Sequence, residues 1–429
     1  MDVVVIGAGI VGTSAALTLA ERGVSVTVLD RGSVAGEASG LNAGLIGGGG
    51  WGDRPDVEVT LKMGSRQRYL DLAQERGHDI GLDLTGTLTL IRTEAEWDWA
   101  AAMVETSRRA GRQLELVTGA ELIDLEPNVD PELAGAILDP RGARAEPVAA
   151  TRAFAIEAQR AGAVIETGCT VAGLWPRAGG GWEVEVDRPR PRAVGAEAVI
   201  IAAGAWCAEL AAMVGVEVPI VAVRGQMWAS EPRPQMLRHG LAACESPLAW
   251  SLEPATRVGG EWAGGEGARG DQDAGGLAPP ELTHGAGRRL TRHLYGRQRP
   301  NGELVFGGDR VWTSADDRTV DGDGIAVNHA HVAELLPLVA RLPPARTWSG
   351  LMPFTRDGRP LIGPVAEVGH DGLYLAGGLA SSGFGRGPMA GQLIADLVMG
   401  RDPAVELGPV LPAGRVRRRD DTGATASTG

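Results

Sequence analysis

Lysine is almost missing from this chain. Its 429 residues include one, Lys62, against forty arginines. The Gly-Lys-Ser/Thr of a phosphate-binding P-loop is therefore absent, and Schiff-base chemistry through lysine would have to use Lys62. We read the arginine, alanine and glycine bias as genome composition. Cysteine is scarce too. Cys169, Cys207 and Cys244 are far apart and odd in number, which excludes a disulfide framework and a Cys-rich metal motif. The seven histidines give one close pair, His329-Ala-His331, expected to be solvated on a surface helix, so no metal is expected. No apolar run is long enough to cross a membrane. Asp2 stands where a signal peptide would carry cations, so the expected location is cytoplasmic. A net charge of -13 argues against non-specific nucleic-acid binding. What remains is a globular composition, 44% apolar and 22% charged, long enough for two or three domains.

Residues 2 to 30 carry the strongest signal. Asp-Val-Val-Val-Ile is followed by Gly7-Ala-Gly9-Ile-Val-Gly12, a helical run, and Val26-Thr-Val-Leu-Asp30. This is a strand, a glycine turn, a helix and a second strand ending in an acid, the full context that a G-x-G-x-x-G fingerprint requires. Gly7 permits the turn, Gly9 lets the backbone approach a pyrophosphate, and Gly12 lets the helix pack on the strand. The helix N-terminus aims unpaired N–H groups at phosphate. Asp30, with Arg31 beside it, suits the ribose hydroxyls and disfavours a 2′-phosphate. The stretch alone leaves FAD and NAD both open.

Helices are expected over 57–77, 94–110, from Thr118 as N-cap, over 148–161, from Ala205, over 329–340 and over 388–399. Strands are expected at 87–92, 163–166, 170–174, 182–186, 198–203, 304–308 and 372–377, the fifth and last running into glycine turns at Gly204 and Gly378. Residues 255–288 read as a surface insertion. Nucleotide-type strands recur along the whole length, so the domains interleave. The expected organisation is 1–85, 145–225 and 345–402 for the nucleotide domain, 86–144 and 226–344 for the substrate domain, and 403–429 as a disordered tail.

The C-terminal part decides the cofactor. Trp348-Ser-Gly350-Leu-Met352-Pro353, then Gly372 to Gly378, then Ser381-Ser-Gly383-Phe-Gly-Arg-Gly-Pro388 resemble the flavin-binding segment of the FAD-dependent D-amino acid oxidase superfamily, its glycine oxidase- and sarcosine oxidase-like branch. Ala38-Ser39 with Asn42-Ala43-Gly44, Glu126-Pro127, Thr170-Val171, Ala202 to Trp206, Val223-Arg-Gly225-Gln226 and Tyr295 to Gly308 extend the likeness over roughly residues 1–400. The resemblance implies an α/β fold: a Rossmann-like FAD-binding domain of the GR2 type, interleaved with an α+β substrate domain on a large, mostly antiparallel sheet. It implies FAD with Gly7, Gly9 and Gly12 at the pyrophosphate and Asp30 at the ribose. Ala38, Ser39, Asn42, Ala43, Gly44 and Leu45 would line pyrophosphate and isoalloxazine. Val171 would meet adenine, and Ala203, Gly204 and Trp206 would pack beside the cofactor. Gly378, Leu379, Ser381, Ser382, Gly383 and Phe384 would bind the cofactor, with Leu379 to Gly385 presenting backbone N–H groups to the flavin ring and stabilising charge on its reduced form. The implied reaction takes hydride from an amine Cα–H to flavin N5, giving an imine and, with oxygen, hydrogen peroxide. No obvious general base stands out.

Some positions depart from the family pattern. The carboxylate-binding arginine of glycine oxidase-like members falls at Met352, and a second family arginine at Ser381. Arginine pairs a carboxylate bidentately and methionine cannot. Either Arg310 replaces it, with Arg54 and Arg224 as alternates, or the substrate lacks a free α-carboxylate. The second reading is preferred, so the substrate is not a simple glycine-like amino acid. Tyr295, Ser381 and Trp51 complete the expected pocket, with Trp250 and Trp262 as further stacking surfaces. The position of covalent attachment by cysteine falls at Gly350, so FAD is expected to be non-covalent. An oxygen-assisting lysine of some relatives falls near Val305–Phe306, which favours a dehydrogenase as an alternative to the oxidase. Oxidation of a 2-hydroxy acid also fits the same hydride step, and a flavoprotein subunit without catalysis of its own fits the cofactor signal alone. Partners are expected to be a small amine or amino acid and oxygen or another electron acceptor.

Overall fold

The first strand, Asp2–Ile6, is buried on both faces because its apolar residues divide between two cores. Val3 and Val5 join Leu17, Leu19, Val26 and Val28, while Val4 and Ile6 join Leu174, Val184 and Ile201. The structure, a computed structural model, describes residues 1–48, 56–244, 293–355, 357–403 and 405–419. Around this strand lies a six-stranded sheet in the spatial order Leu361–Pro364, Leu373–Gly377, Ala198–Ile201, Asp2–Ile6, Ser25–Asp30, Val164–Thr167. Every pairing is parallel except that of the outer strand Leu361–Pro364. Helices Ile10–Glu21, Pro147–Arg160 and Gly383–Val398 cover one face. A three-stranded sheet, Val171–Pro176, Trp182–Val186 and Arg192–Ala196, covers the other. Trp182, Val184 and Val186 point inward and Glu183 and Glu185 outward, the alternation their sequence predicts.

The second sheet has eight strands in the order Arg346–Thr355, Ile220–Ala229, Leu304–Thr313, Tyr295–Gln298, Gly240–Ala243, Thr87–Ile91, Gly135–Asp139, Glu115–Thr118. It is antiparallel apart from the pair of Gly240–Ala243 with Thr87–Ile91. Strand Ile220–Ala229 joins the two strands that carry Met352 and Arg310, and its register sets Gly225 opposite Gly350 on one side and Arg310 on the other. The mixed architecture is the one the resemblance implied.

Three stretches differ from expectation. The helix carrying His329 and His331 spans Gly322–Leu335, because Asp321 caps it through the Asp323 N–H and Pro337 opens a separate turn. His331 is 1% exposed, and His329 bonds the Leu342 carbonyl and lies edge-on to Trp228, so the pair is packed rather than solvated. The last long helix starts at Gly383, five residues before Pro388. Pro388 has no N–H for the Phe384 carbonyl, and the Tyr69 hydroxyl donates to that carbonyl instead at 2.7 Å. The C-terminal segment is ordered to Arg419: Leu407, Val410 and Val416 are buried, and Arg417–Arg418 pairs with Val216–Glu217. That overturns the expected disordered tail over 405–419, since Leu407 and Val410 join the core on one face of the six-stranded sheet and Val416 the core on the other. Trp51, Arg54, Trp250, Trp262, the 255–288 insertion and residues 420–429 lie outside the described residues.

Candidate cofactor and active site

The glycine turn is built by contacts that leave no room for a side chain. Gly7 has a φ of 113°, and a Cβ there would lie 2.5 Å from the Ala202 carbonyl oxygen. A Cβ on Gly12 would come within 1.9 Å of the Gly7 carbonyl oxygen, and one on Gly9 within 2.9 Å of Ser39 Oγ. Ser39 Oγ accepts the Ile10 N–H at 2.9 Å, taking one of the donors that the first turn of Ile10–Glu21 leaves unpaired. The Asp30 carboxylate accepts the N–H of Ala8 and of Gly32, each at 2.7 Å, which locks the acid to the turn. Asn42 fixes the following loop: its amide donates to the Ala38 and Ser39 carbonyls and its oxygen accepts the Gly44 N–H at 2.7 Å.

One cleft connects these groups. It runs from the carboxyl ends of the parallel strands to the inner face of the eight-stranded sheet, the place where open α/β sheets bind ligands. Of the predicted residues, Gly7, Gly9, Asp30, Arg31, Ala38, Ser39 and Asn42 line it on one side. Val171, Ala203, Gly204 and Trp206 line it near the second strand, with the Arg31 guanidinium 3.9 Å over the Trp206 ring. Leu379, Ser381, Gly383, Phe384, Met352 and Tyr295 line the far end. Gly12, Ala43, Gly44, Leu45, Gly378, Ser382 and Arg310 do not line it. Gly12 lies beneath the turn. Gly44 packs so closely on Ala145 that a Cβ would meet its carbonyl oxygen, and Gly378 is held against Thr355.

At the far end the chain turns sharply. Ala380 has a φ of 50°, a strained backbone for a residue with a Cβ. Helix Gly383–Val398 begins there, and among the described residues its N-cap Ser382 makes no side-chain cap bond. Its first N–H groups and the positive end of its dipole therefore open into the cleft.

The wall facing that turn is apolar. Met227, Tyr295, Gly350, Leu351, Met352 and Pro353 form it, and no charged side chain lines it among the described residues. Met352 lies across Gly225, where a Cβ would be 2.8 Å from its methyl carbon. The Tyr295 hydroxyl is 3.2 Å from Met227 Sδ. Arg310 is buried behind Tyr295 and bonds His293; burial pulls its guanidinium down to about 10 and holds the His293 imidazole well below its usual range. Arg224 turns away to Asp317 at 2.8 Å. Sequence reasoning missed Met227, Leu41, Glu37 and Glu209 as lining residues. Met227 was accessible to it, being two residues beyond Gly225 on the same strand face.

A family model described as FAD dependent oxidoreductase (DAO) matches residues 2–257 and 272–397. The chain is 28% identical over 413 residues to glycine oxidase of Geobacillus kaustophilus, covering 95% of each protein. It is 26% identical over 463 residues to D-amino acid dehydrogenase of Rhizobium johnstonii, covering 95% of this chain and 98% of that one. The crystal structure of glycine oxidase from Geobacillus kaustophilus superposes with a TM-score of 0.78 at 25% identity, covering 96% of this chain and 97% of that one. The chain belongs to the DAO family of FAD-dependent oxidoreductases, and FAD is its cofactor.

Proposed function

We propose that the protein oxidises the C–N bond of an amine or amino acid whose substituents are largely apolar, rather than a simple glycine-like substrate. The observation that carries this reading is Met352 folded over Gly225 in a wall without charge among the described residues. A carboxylate placed there would lose its water without gaining a cation, and that penalty falls on glycine-like substrates in particular.

The residues fit FAD. The Gly7–Gly12 turn is a cradle that any Cβ would fill, and at each end of the cleft a helix N-terminus opens whose own N-cap residue supplies no side-chain bond among the described residues. Gly7, Gly9 and Ser39 would hold the pyrophosphate, and Asp30 the ribose. Val171 and Trp206 would flank the adenosine end, and Leu379 to Phe384 would meet the ring. The bound flavin supplies a two-electron acceptor. The protein's own part is to orient the substrate carbon, to exclude water with Met227, Tyr295 and Met352, and to favour the neutral amine, which an apolar wall does by desolvation. Loss of two electrons and two protons from CH–NH gives an imine, which water hydrolyses. Non-covalent binding is supported because no cysteine or histidine lines the ring end among the described residues.

A dehydrogenase passing electrons to an acceptor other than oxygen is the second reading. Val305 and Phe306, at or near the position where the resemblance puts a lysine of some relatives, are buried and apolar. The test is anaerobic mixing with a panel of amines, amino acids and 2-hydroxy acids, following the visible flavin band. Bleaching by apolar amines, with glycine inert, is expected. Bleaching by 2-hydroxy acids alone overturns the proposal. Peroxide under air then separates oxidase from dehydrogenase.

A further inference from the structure

Arg386 is 0% exposed. A buried guanidinium needs strong partners, and among those of this one are two of different kinds. Nη1 donates to Glu58 Oε2 at 2.8 Å, and Nη2 donates to the Leu379 carbonyl at 2.8 Å. Leu379 begins the turn that contains the strained Ala380 and lines the cleft through Leu379, Ala380, Ser381 and Gly383. One end of the ion pair therefore grips the backbone of the turn directly.

The other end belongs to helix Asp56–Leu70, which lies along helix Gly383–Val398, whose first turn carries Arg386. Glu58, Ser65 and Tyr69 fall on one stripe of that helix, at i, i+7 and i+11. Each meets the opposite helix: Glu58 at Arg386, Ser65 Oγ at the Met389 N–H at 3.0 Å, and Tyr69 at the Phe384 carbonyl. Pro388 explains the last of these, since it cannot pair that carbonyl. A strained turn persists only where its surroundings over-determine it, and here one stripe of side chains does so.

We propose that Arg386, held by Glu58, is a positioning residue that fixes the Leu379–Gly383 turn against the flavin ring and tunes the charge felt there. This rests on the reading that the turn faces the ring. The two charges act on reduction with opposite sign, because reduction adds negative charge to the flavin. Removing the guanidinium leaves Glu58 uncompensated and makes reduction harder. Removing the carboxylate charge leaves Arg386 and makes it easier.

The experiment compares the reduction potential of bound FAD in the wild type, Arg386→Met, Glu58→Gln and the double variant Arg386→Met/Glu58→Met. It also measures FAD affinity by flavin fluorescence and the melting of each apoprotein. A downward shift in Arg386→Met, an upward shift in Glu58→Gln and a near-native potential in the double variant support the proposal. Loss of the bond to the Leu379 carbonyl should also weaken FAD binding about tenfold in the double variant. Where Arg386→Met does not yield folded holoprotein, Glu58→Gln and the double variant decide. Potentials that stay unmoved, or shift with the same sign in both single variants, overturn the proposal even if FAD binds normally. A wild-type protein that binds no flavin would instead overturn the cofactor-site reading beneath it.

Discussion

Gly9 and Gly12 belong to one fingerprint, yet they face different obstacles. A Cβ on Gly9 meets a serine side chain, which can rotate away if it gives up the Ile10 N–H, whereas a Cβ on Gly12 meets the fixed Gly7 carbonyl oxygen. Gly9→Ala should therefore fold with near-native circular dichroism and reduced FAD affinity, while Gly12→Ala should lose soluble protein. Expression and flavin content of the two variants check this order, and equal outcomes would contradict it. Met352→Arg makes the complementary prediction at the pocket. A guanidinium there would pair a carboxylate bidentately, so flavin reduction by glycine or sarcosine should appear or rise at least about tenfold, the scale of one good charged pair. Gly7, Gly9, Gly12 and Asp30 were legible in the sequence because the need for a missing Cβ, or for an acid at a strand end, is local. Arg310 was not. Whether it reaches the cleft depends on Tyr295 of the neighbouring strand and His293 just before it, and no spacing within its own strand encodes that.

Helix Gly383–Val398 shows how an element can hide its own start. Its sequence places a proline at the sixth position, which reads as an N-terminal turn. The residue that makes an interior proline tolerable is Tyr69, 315 positions from the Phe384 carbonyl it bonds, and no local pattern contains it. Tyr69→Phe keeps the ring, which packs 5.0 Å from Phe384 and 5.9 Å from Phe154, and deletes only the donor. The buried Phe384 carbonyl is then left unmatched, so the variant should lose roughly 1–3 kcal/mol, read from denaturant midpoints at unchanged m. A loss within error would mean that another donor reaches Phe384. The helix over Gly322–Leu335 differs for the opposite reason: Asp321 is an ordinary cap that accepts the Asp323 N–H, so its start was legible in principle.

Across the whole molecule, Glu157 ties three segments together. Burial by itself would raise its carboxyl, but His78 at 2.7 Å, Arg76 at 2.9 Å and Arg160 at 2.6 Å outweigh that and hold it at about 2, below the ordinary 4.5. Arg76 carries the tie onward to Glu21 on the dinucleotide helix at 2.6 Å. A carboxyl lowered by folding stabilises the fold above its unfolded pKa, and that contribution disappears as pH falls through the folded one. Glu157→Gln should therefore be less stable than wild type by of order 1–3 kcal/mol at pH 7, with the gap closing between pH about 4.5 and about 2. Melting temperatures of both proteins across that range test it, and a gap independent of pH would refute it. The general architecture was readable because strand, glycine turn and helix recur at both ends of the chain. The eight-stranded register was not, since it is set by pairings between distant segments. The packing of residues 405–419 was hidden by their Pro, Gly and Arg content.

The near-absence of lysine becomes a practical property once the fold is known. Lys62 is 7% exposed, within helix Asp56–Leu70. A protease that cuts only after lysine therefore has a single target bond, and in the native protein it lies within an intact helix. Digestion should leave the folded chain whole and yield two fragments as the protein unfolds. Amine-reactive dyes should likewise modify the α-amino group before any side chain. Cleavage at Lys62 thus offers a one-site clock for the opening of the helix that packs against the Leu379–Gly383 turn.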